Sequence, residues 1–189
     1  VQGNYMIYYG YRSAQIADIA RQVFSAAPDR LETVVAVQTG NSGLYTYVKD
    51  GIARSGLGSA SMLFDEYAVT TYFGNQLSTA GADAAAKEIV LGWAKGGEAG
   101  LTAAFQEMEF GGSLRSDLSL AGVAKLLAKH AKIAADNGMT LVAYEGGAHV
   151  TSNKYKDAAE ADIMQEFIGR LMNDPRMGAL YTKMADLFE

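Results

Sequence analysis

Residues 139–150 read MTLVAYEGGAHV, an apolar run that stops at Glu145 and continues with two glycines, an alanine and a histidine. Its length and composition are those of a buried strand. A buried strand that ends in a carboxylate, with nothing bulky after it, raises the question of what lies above that end. The flanks say which kind of fold it belongs to. Upstream, LSLAGVAKLLAKHAKIAA (118–135) carries Leu120, Val123, Leu127, Ala131 and Ala134 at helical spacing. Ser116 or Asp117 is the expected cap of that helix, and Asn137-Gly138 its expected stop. Downstream, Asp157 and Glu160 have capping-box spacing ahead of a helix bearing Ile163, Phe167, Ile168 and Leu171, which ends at NDP (173–175). A last helix is expected over about 176–188.

The same alternation runs through the rest of the chain. A helix over 13–27 places Ile16, Ile19, Ala20, Val23 and Phe24 on one face and ends at Pro28-Asp29. LETVVAVQ (31–38) is β-branched and continuous, and FDEYAVTTYFG (64–74) is a second strand closed by Gly74. Between them TGNSG (39–43) is a turn and LYTYVKDGIARSG (44–56) a short helix; further helices are expected over 80–95 and 98–109. Strands separated by helices imply parallel pairing through right-handed crossovers. The expected sheet has three adjacent strands, near 31–38, 65–72 and 139–145, in sequence order within one domain spanning 1–189. Three strands are too few to close a (β/α)8 barrel. Either helices do most of the packing, or the chain is part of a larger fold.

Bulk composition removes several function classes. The net charge of −5 comes without a basic cluster, which argues against a nucleic-acid surface. With no cysteine there are no disulfides and no thiolate metal sites, and the two histidines lack metal spacing, so no metal or cofactor is expected. No apolar run approaches the ~20 residues of a membrane span. The first residue is Val1 and no signal peptide precedes it, which reads as a processed or partial chain.

In parallel α/β folds the chemistry gathers at the C-terminal ends of strands. Those ends carry Gln38, Thr39 and Asn41, then Thr71, Tyr72 and Phe73, then Tyr144, Glu145 and His149. An amide, a phenol, a carboxylate and an imidazole on one rim could hold a ligand, with Gly146 and Gly147 keeping the backbone low beneath it. The plainer alternatives stay open. A strand-ending Glu is often a solvated turn residue, Gly-Gly a turn, Tyr72-Phe73 core, and a lone His a surface residue. His130 lies within a helix and carries no assigned role. Neither a nucleophile elbow nor a Ser-His-Asp order is visible.

LVAYEGGAHV (141–150) resembles the strand-seven segment of bacterial proteins with a glycoside-hydrolase-like (β/α)8 barrel, often labelled cellulose-binding proteins, where Tyr-Glu-Gly-Gly-Gln-His is the usual form. YAVTTYFG (67–74) is similar to their strand six, IADIARQVF (16–24) to the helix before strand five, and NDPRMGALY (173–181) to a late segment. The resemblance implies a partial (β/α)8, TIM-type barrel holding strands five to seven with surrounding helices, beside missing polypeptide segments or within a homo-oligomer. It implies a secreted or periplasmic bacterial protein whose partner is a polysaccharide or oligosaccharide. By the pattern of retaining glycosidases Glu145 is the nucleophile, and Tyr72, Gln38, Asn41 and His149 are substrate-binding residues; Ala148 stands where the family has Gln. The Asn-Glu pair that supplies the acid/base is not found, and Glu66, Glu107 and Glu109 lie at the wrong places for it. The expected function is a glycoside hydrolase; the alternative is a carbohydrate-binding or structural module without the reaction.

Overall fold

The computed structural model describes residues 2–188. In chain order the elements are α1 (Gln2–Val23), β1 (Val34–Ala36), α2 (Leu44–Ser55), α3 (Ala60–Leu63), β2 (Glu66–Phe73), α4 (Asn75–Thr79), α5 (Ala84–Lys95), α6 (Gly97–Phe110), α7 (Leu120–Asp136), β3 (Thr140–Ala148), α8 (Ala158–Met172) and α9 (Pro175–Ala185). The strands form one open sheet in the order β1-β2-β3. Sixty-six per cent of the chain is helical, and the described strands make an open sheet, not a closed barrel. By packing density the chain divides into two compact units, Val1–Thr70 with Leu126–Tyr144 and Thr71–Lys125 with Glu145–Glu189. The division falls inside β2, β3 and α7.

Within the first unit β1 runs parallel to β2, with Val34 opposite Glu66 and Ala36 opposite Ala68. The β-branched run expected over 31–38 makes regular strand only over three residues. Pairing nonetheless continues past Ala36. Val37 N–H donates to the Ala68 carbonyl at 3.1 Å. The Thr39 hydroxyl then takes the place of a backbone partner, accepting from Thr70 N–H at 2.9 Å and lying 2.7 Å from the Thr70 carbonyl. Thr140 N–H donates to the Asp65 carbonyl at 3.0 Å, which starts β3 beside β2.

α1 and α2 approach to backbone contact. A Cβ added at Gly10 would lie 2.1 Å from the Val48 carbonyl oxygen, and one at Gly51 2.0 Å from that of Ile7. Glycine at both positions is what permits this crossing. The buried side of α1 is therefore Gly10, Ala14 and Ala17. The apolar face expected from the sequence is on the opposite side: Ile16, Ile19 and Val23 are 63%, 60% and 73% exposed. Small residues won the inner side because they let the helices close; the larger ones were left outside.

α7 contributes Leu127 and Ala134 to this unit, as expected, but its most buried side chain is His130, and Ala131 is exposed. His130 Nε2 lies 2.9 Å from the Thr39 carbonyl, and Nδ1 lies 2.8 Å from the Tyr67 hydroxyl. A carbonyl only accepts, so Nε2 carries the proton and Nδ1 accepts from Tyr67. Tyr67 is fully buried and stands edge-on to Tyr45, ring centres 5.1 Å apart. Burial lowers the His130 pKa, against the smaller opposing pull of the Thr39 carbonyl.

In the second unit, Asp83, Asp157 and Asp174 cap α5, α8 and α9 by accepting from Ala86, Glu160 and Arg176 N–H. Ser119 starts α7, its hydroxyl accepting from Gly122 N–H at 3.1 Å. The expected caps Ser116 and Asp117 instead form a 3-10 turn just before it, and the Ser119 hydroxyl donates to the Ser116 carbonyl. The core is built from residues such as Leu77, Val90, Met108, Met164, Phe167 and Leu171. Gly100 lets α6 meet α5, since a Cβ there would lie 1.9 Å from the Trp93 carbonyl oxygen. Lys87 on α5 pairs with Glu160 on α8 at 2.8 Å.

The neutral His130 ring makes stability depend on pH. Its contribution is complete above the ordinary value of 6.5 and is lost as pH falls below that toward the lower folded-state value. Tyr67→Phe removes the donor to Nδ1 and is expected to cost about 1–3 kcal/mol. Urea midpoints are expected to fall from neutral pH downward in the wild type, and less steeply in Tyr67→Phe, whose ring protonates with less to lose. Equal slopes would contradict this assignment.

Candidate functional site

The candidate residues fall into two groups, one in each unit. In the first unit the sheet borders a cavity of about 470 Å³, just past the end of β1 and beside the middle of β2 and β3. Its side chains include Gln38 from the end of β1, Thr70 from β2, Tyr144 from β3, and Tyr5, Met6 and Tyr9 from α1. None of the lining residues carries a formal charge at neutral pH. The position of α1 is fixed by Tyr9, whose hydroxyl accepts the Ala36 N–H at 3.1 Å on the open edge of β1. Gln38 is held between two pinned neighbours, Val37 on Ala68 and Thr39 on Thr70 and His130. Its side-chain amide makes no hydrogen bond among the described residues, which leaves both its donor and its acceptor for a ligand.

Asn41 is placed elsewhere. It is exposed in the turn after β1, where its N–H donates to the Gln38 carbonyl and its own carbonyl accepts from Leu44 N–H, so it leads the chain into α2. It does not line the cavity.

In the second unit, Tyr72 and His149 come together, with ring centres 5.1 Å apart at 52°. The His149 N–H donates to the Phe73 carbonyl at 2.7 Å and the Ser78 hydroxyl lies 3.3 Å from the His149 carbonyl, so its backbone is tied to β2 and α4. Glu145 is exposed, in an edge strand that is itself largely exposed rather than buried. Its side chain makes no hydrogen bond or ion pair among the described residues.

The two glycines after Glu145 have structural reasons. A Cβ at Gly146 would lie 1.9 Å from the Thr71 hydroxyl oxygen, and one at Gly147, where φ is +128°, 2.8 Å from the Tyr181 hydroxyl. That same hydroxyl accepts the Ala148 N–H at 3.2 Å, while the Tyr181 ring packs edge-on to Phe73.

Of the other carboxylates, Glu107 and Glu109 are engaged. Glu107 is buried and accepts from Ser113 and Leu114 N–H at 2.8 and 3.1 Å, which holds the loop after α6. Glu109 pairs with Lys183. Glu66 begins β2, at the end of the strand remote from the cavity; desolvation first, then the charges of Glu32 and Asp65, hold its pKa above the ordinary range. Among the described residues no group of three His, Cys, Asp or Glu side chains could hold a metal ion. Nor is any described helix long and apolar enough to cross a membrane.

Tyr5, Met6 and Tyr9 did not figure in the sequence reading, which began the first helix at 13. The signal was the i, i+4 pair Tyr5 and Tyr9 within NYMIYYGY (4–11), ahead of the apolar periodicity. No family model, curated protein or solved structure matches the chain. The resemblance to barrel glycosidases rests on the sequence segments alone.

Gly146 should not tolerate a side chain. Gly146→Val is expected to destabilise the protein by about 1–3 kcal/mol or more, because Thr71 is buried and cannot withdraw. Thermal melts check this. A melting temperature equal to wild type would mean that β3 does not approach Thr71 as described.

Proposed function

We propose that the protein is carbohydrate-active, with its three strands corresponding to strands five to seven of a (β/α)8 glycosidase-like barrel. The observation that carries this reading is the uncharged, tyrosine-lined cavity between α1 and the sheet, with the unengaged amide of Gln38 inside it. A pyranose ring presents C–H faces, which pack on aromatic rings, and hydroxyls, which need neutral donors and acceptors. A cavity of about 470 Å³ lies within the range of small-ligand sites. A saccharide outside the cell is the natural partner on the resemblance.

Glu145 is the nucleophile of the catalytic form of this proposal. The expected strand end at Glu145 is extended by β3 to Ala148, so this exposed carboxylate within the strand-seven equivalent would attack the anomeric carbon and form a glycosyl-enzyme, while a second carboxyl protonates the departing oxygen and later activates water. The two must stand about 5 Å apart, one ionised and one protonated. Engagement of Glu107 by its loop and of Glu109 by Lys183 favours the second reading, a module that binds sugar without cleaving it. The two readings differ in what Glu145 does, and Glu145 is not among the residues that line the cavity.

Titration calorimetry with a panel of neutral oligosaccharides tests the shared part. Tyr144→Ala is expected to weaken binding up to about tenfold, the worth of one aromatic contact. Absence of binding across the panel, or an unchanged affinity in Tyr144→Ala, would contradict the reading. Glu145→Gln separates the two forms: binding is retained in both, whereas hydrolysis of aryl glycosides drops by orders of magnitude only if Glu145 attacks.

A further inference from the structure

α1 runs along the open edge of β1, and the two do not close against each other everywhere. Tyr9 bridges them, its hydroxyl accepting the Ala36 N–H. Past that bridge, toward the start of β1, lies a groove of about 340 Å³. One wall is Ile16, Ala17 and Ala20 of α1; the other is the chain from Leu31 to Val34. The backbone of the second wall is an unpaired strand edge. The Thr33 carbonyl accepts from Glu66 N–H at 3.1 Å, and Val37 N–H donates to the Ala68 carbonyl, so Thr33, Val35 and Val37 turn their peptide groups toward β2. In a parallel pair only every second residue bonds to a given neighbour, so Val34 and Ala36 turn theirs outward. The Tyr9 bond to Ala36 N–H marks that direction, and among the described residues Tyr9 alone bonds to this edge. The Val34 N–H, the Val34 carbonyl and the Ala36 carbonyl stay open.

The charges beside the groove narrow the chemistry of a partner. Glu32 borders the groove and is exposed. Val34 stands opposite Glu66 in the ladder, and desolvation first, then the Glu32 charge, raises the Glu66 pKa. Neither carboxylate pairs with a cation among the described residues, since Arg21 is taken by Asp65. Two like charges held near each other without a counterion favour a cation beside them. Along the wall the exposed Glu32 and Val34 alternate with the buried Thr33 and Val35. A strand added to this edge keeps the same alternation. One set of its side chains then lies toward α1, and the other toward Glu32 and Glu66.

We propose that the groove between α1 and the edge of β1 is a peptide-binding site, and that its occupant is an extended segment of another protein in which apolar and basic residues alternate. The inference does not rest on the carbohydrate reading and holds whatever ligand the cavity takes. The segment adds to β1 as a further strand. Main-chain hydrogen bonds to Val34 hold it, as in other cases of strand addition. Its apolar side chains lie against Ile16 and Ala20, and a Lys or Arg lies beside Glu32 and Glu66. The open edge is short, so binding is weak, and its charged part is screened by salt.

Fluorescence anisotropy with two labelled peptides of strand length tests this, one alternating Lys and Val and the other alternating Glu and Val. The wild type is expected to bind the Lys-Val peptide and not the Glu-Val peptide. Glu32→Lys replaces an exposed side chain, so its circular-dichroism melt should not fall, while its preference for the Lys-Val peptide is lost. Val34→Pro removes an N–H that faces away from β2, a place where an edge strand tolerates proline. It is expected to keep the fold and to weaken binding about tenfold, the worth of one main-chain hydrogen bond. No binding of the Lys-Val peptide, equal binding of both peptides, or an unchanged preference in Glu32→Lys would each overturn the proposal, as would wild-type affinity in a folded Val34→Pro. Self-association of the wild type in sedimentation velocity that is lost in Val34→Pro would assign the edge to a second copy and overturn it as well.

Discussion

A single buried imidazole joins the parts of the first unit. His130 reaches from α7 to the segment after β1 through Nε2 and to the start of β2 through Nδ1. Two constraints make the junction strict. The ring has no solvent, so a charged form is disfavoured, and its two partners demand one neutral tautomer. Tyr67 is doubly held, by the ring nitrogen and by its edge-on contact with Tyr45, whose own buried hydroxyl has no partner among the described residues and whose pKa burial pushes up to about 12. With Thr39 fixed through its carbonyl to His130 and through its hydroxyl to Thr70, Gln38 beside it is presented to the cavity from a rigid strand end.

The other determinant is close helix packing. Glycines at 10, 51 and 100 let backbones approach where any side chain would collide. This explains how a chain with only a small open sheet still builds a core, and it also decides what is left outside. Turning Gly10, Ala14 and Ala17 inward puts Ile16, Ile19 and Val23 outward. The same choice sets Tyr5 and Tyr9 beside the end of β1, so packing of α1 on α2 shapes both the cavity and the exposed ridge.

Much of the architecture was legible. The β-branched runs, the Asn137-Gly138 stop with Gly138 at φ +68°, and the Asp157 cap are local signals whose physics lies within a few residues. They placed the strands, their order and most helices. What misled was the assumption that the largest apolar stripe faces inward. On α1 that fails, because helix-to-helix distance, which a single sequence does not display, rewarded the small residues. β3 was expected to be buried because its run is apolar throughout; as an edge strand in a three-stranded sheet it has a neighbour on one side only. Ser119 outcompeted Ser116 and Asp117 as cap because the 3-10 turn they form ends next to it.

The candidate site was legible in its parts but not in its grouping. Gln38 and Tyr144 do line one cavity, and Tyr72 does meet His149; Asn41 serves its turn, and the glycines after Glu145 make room for Thr71 and Tyr181. His130, passed over as one polar residue inside a helix, proves to be the junction, because its partners lie 63 and 91 residues away in sequence. The most direct test of this account is nitrogen-detected NMR of the His130 ring as pH is lowered. The predicted result is a neutral ring protonated on Nε2 whose transition lies below 6.5, with the Gln38 and Thr39 amide signals shifting along the same curve. A ring protonated on Nδ1, or one titrating at or above 6.5 without moving those amides, would contradict it.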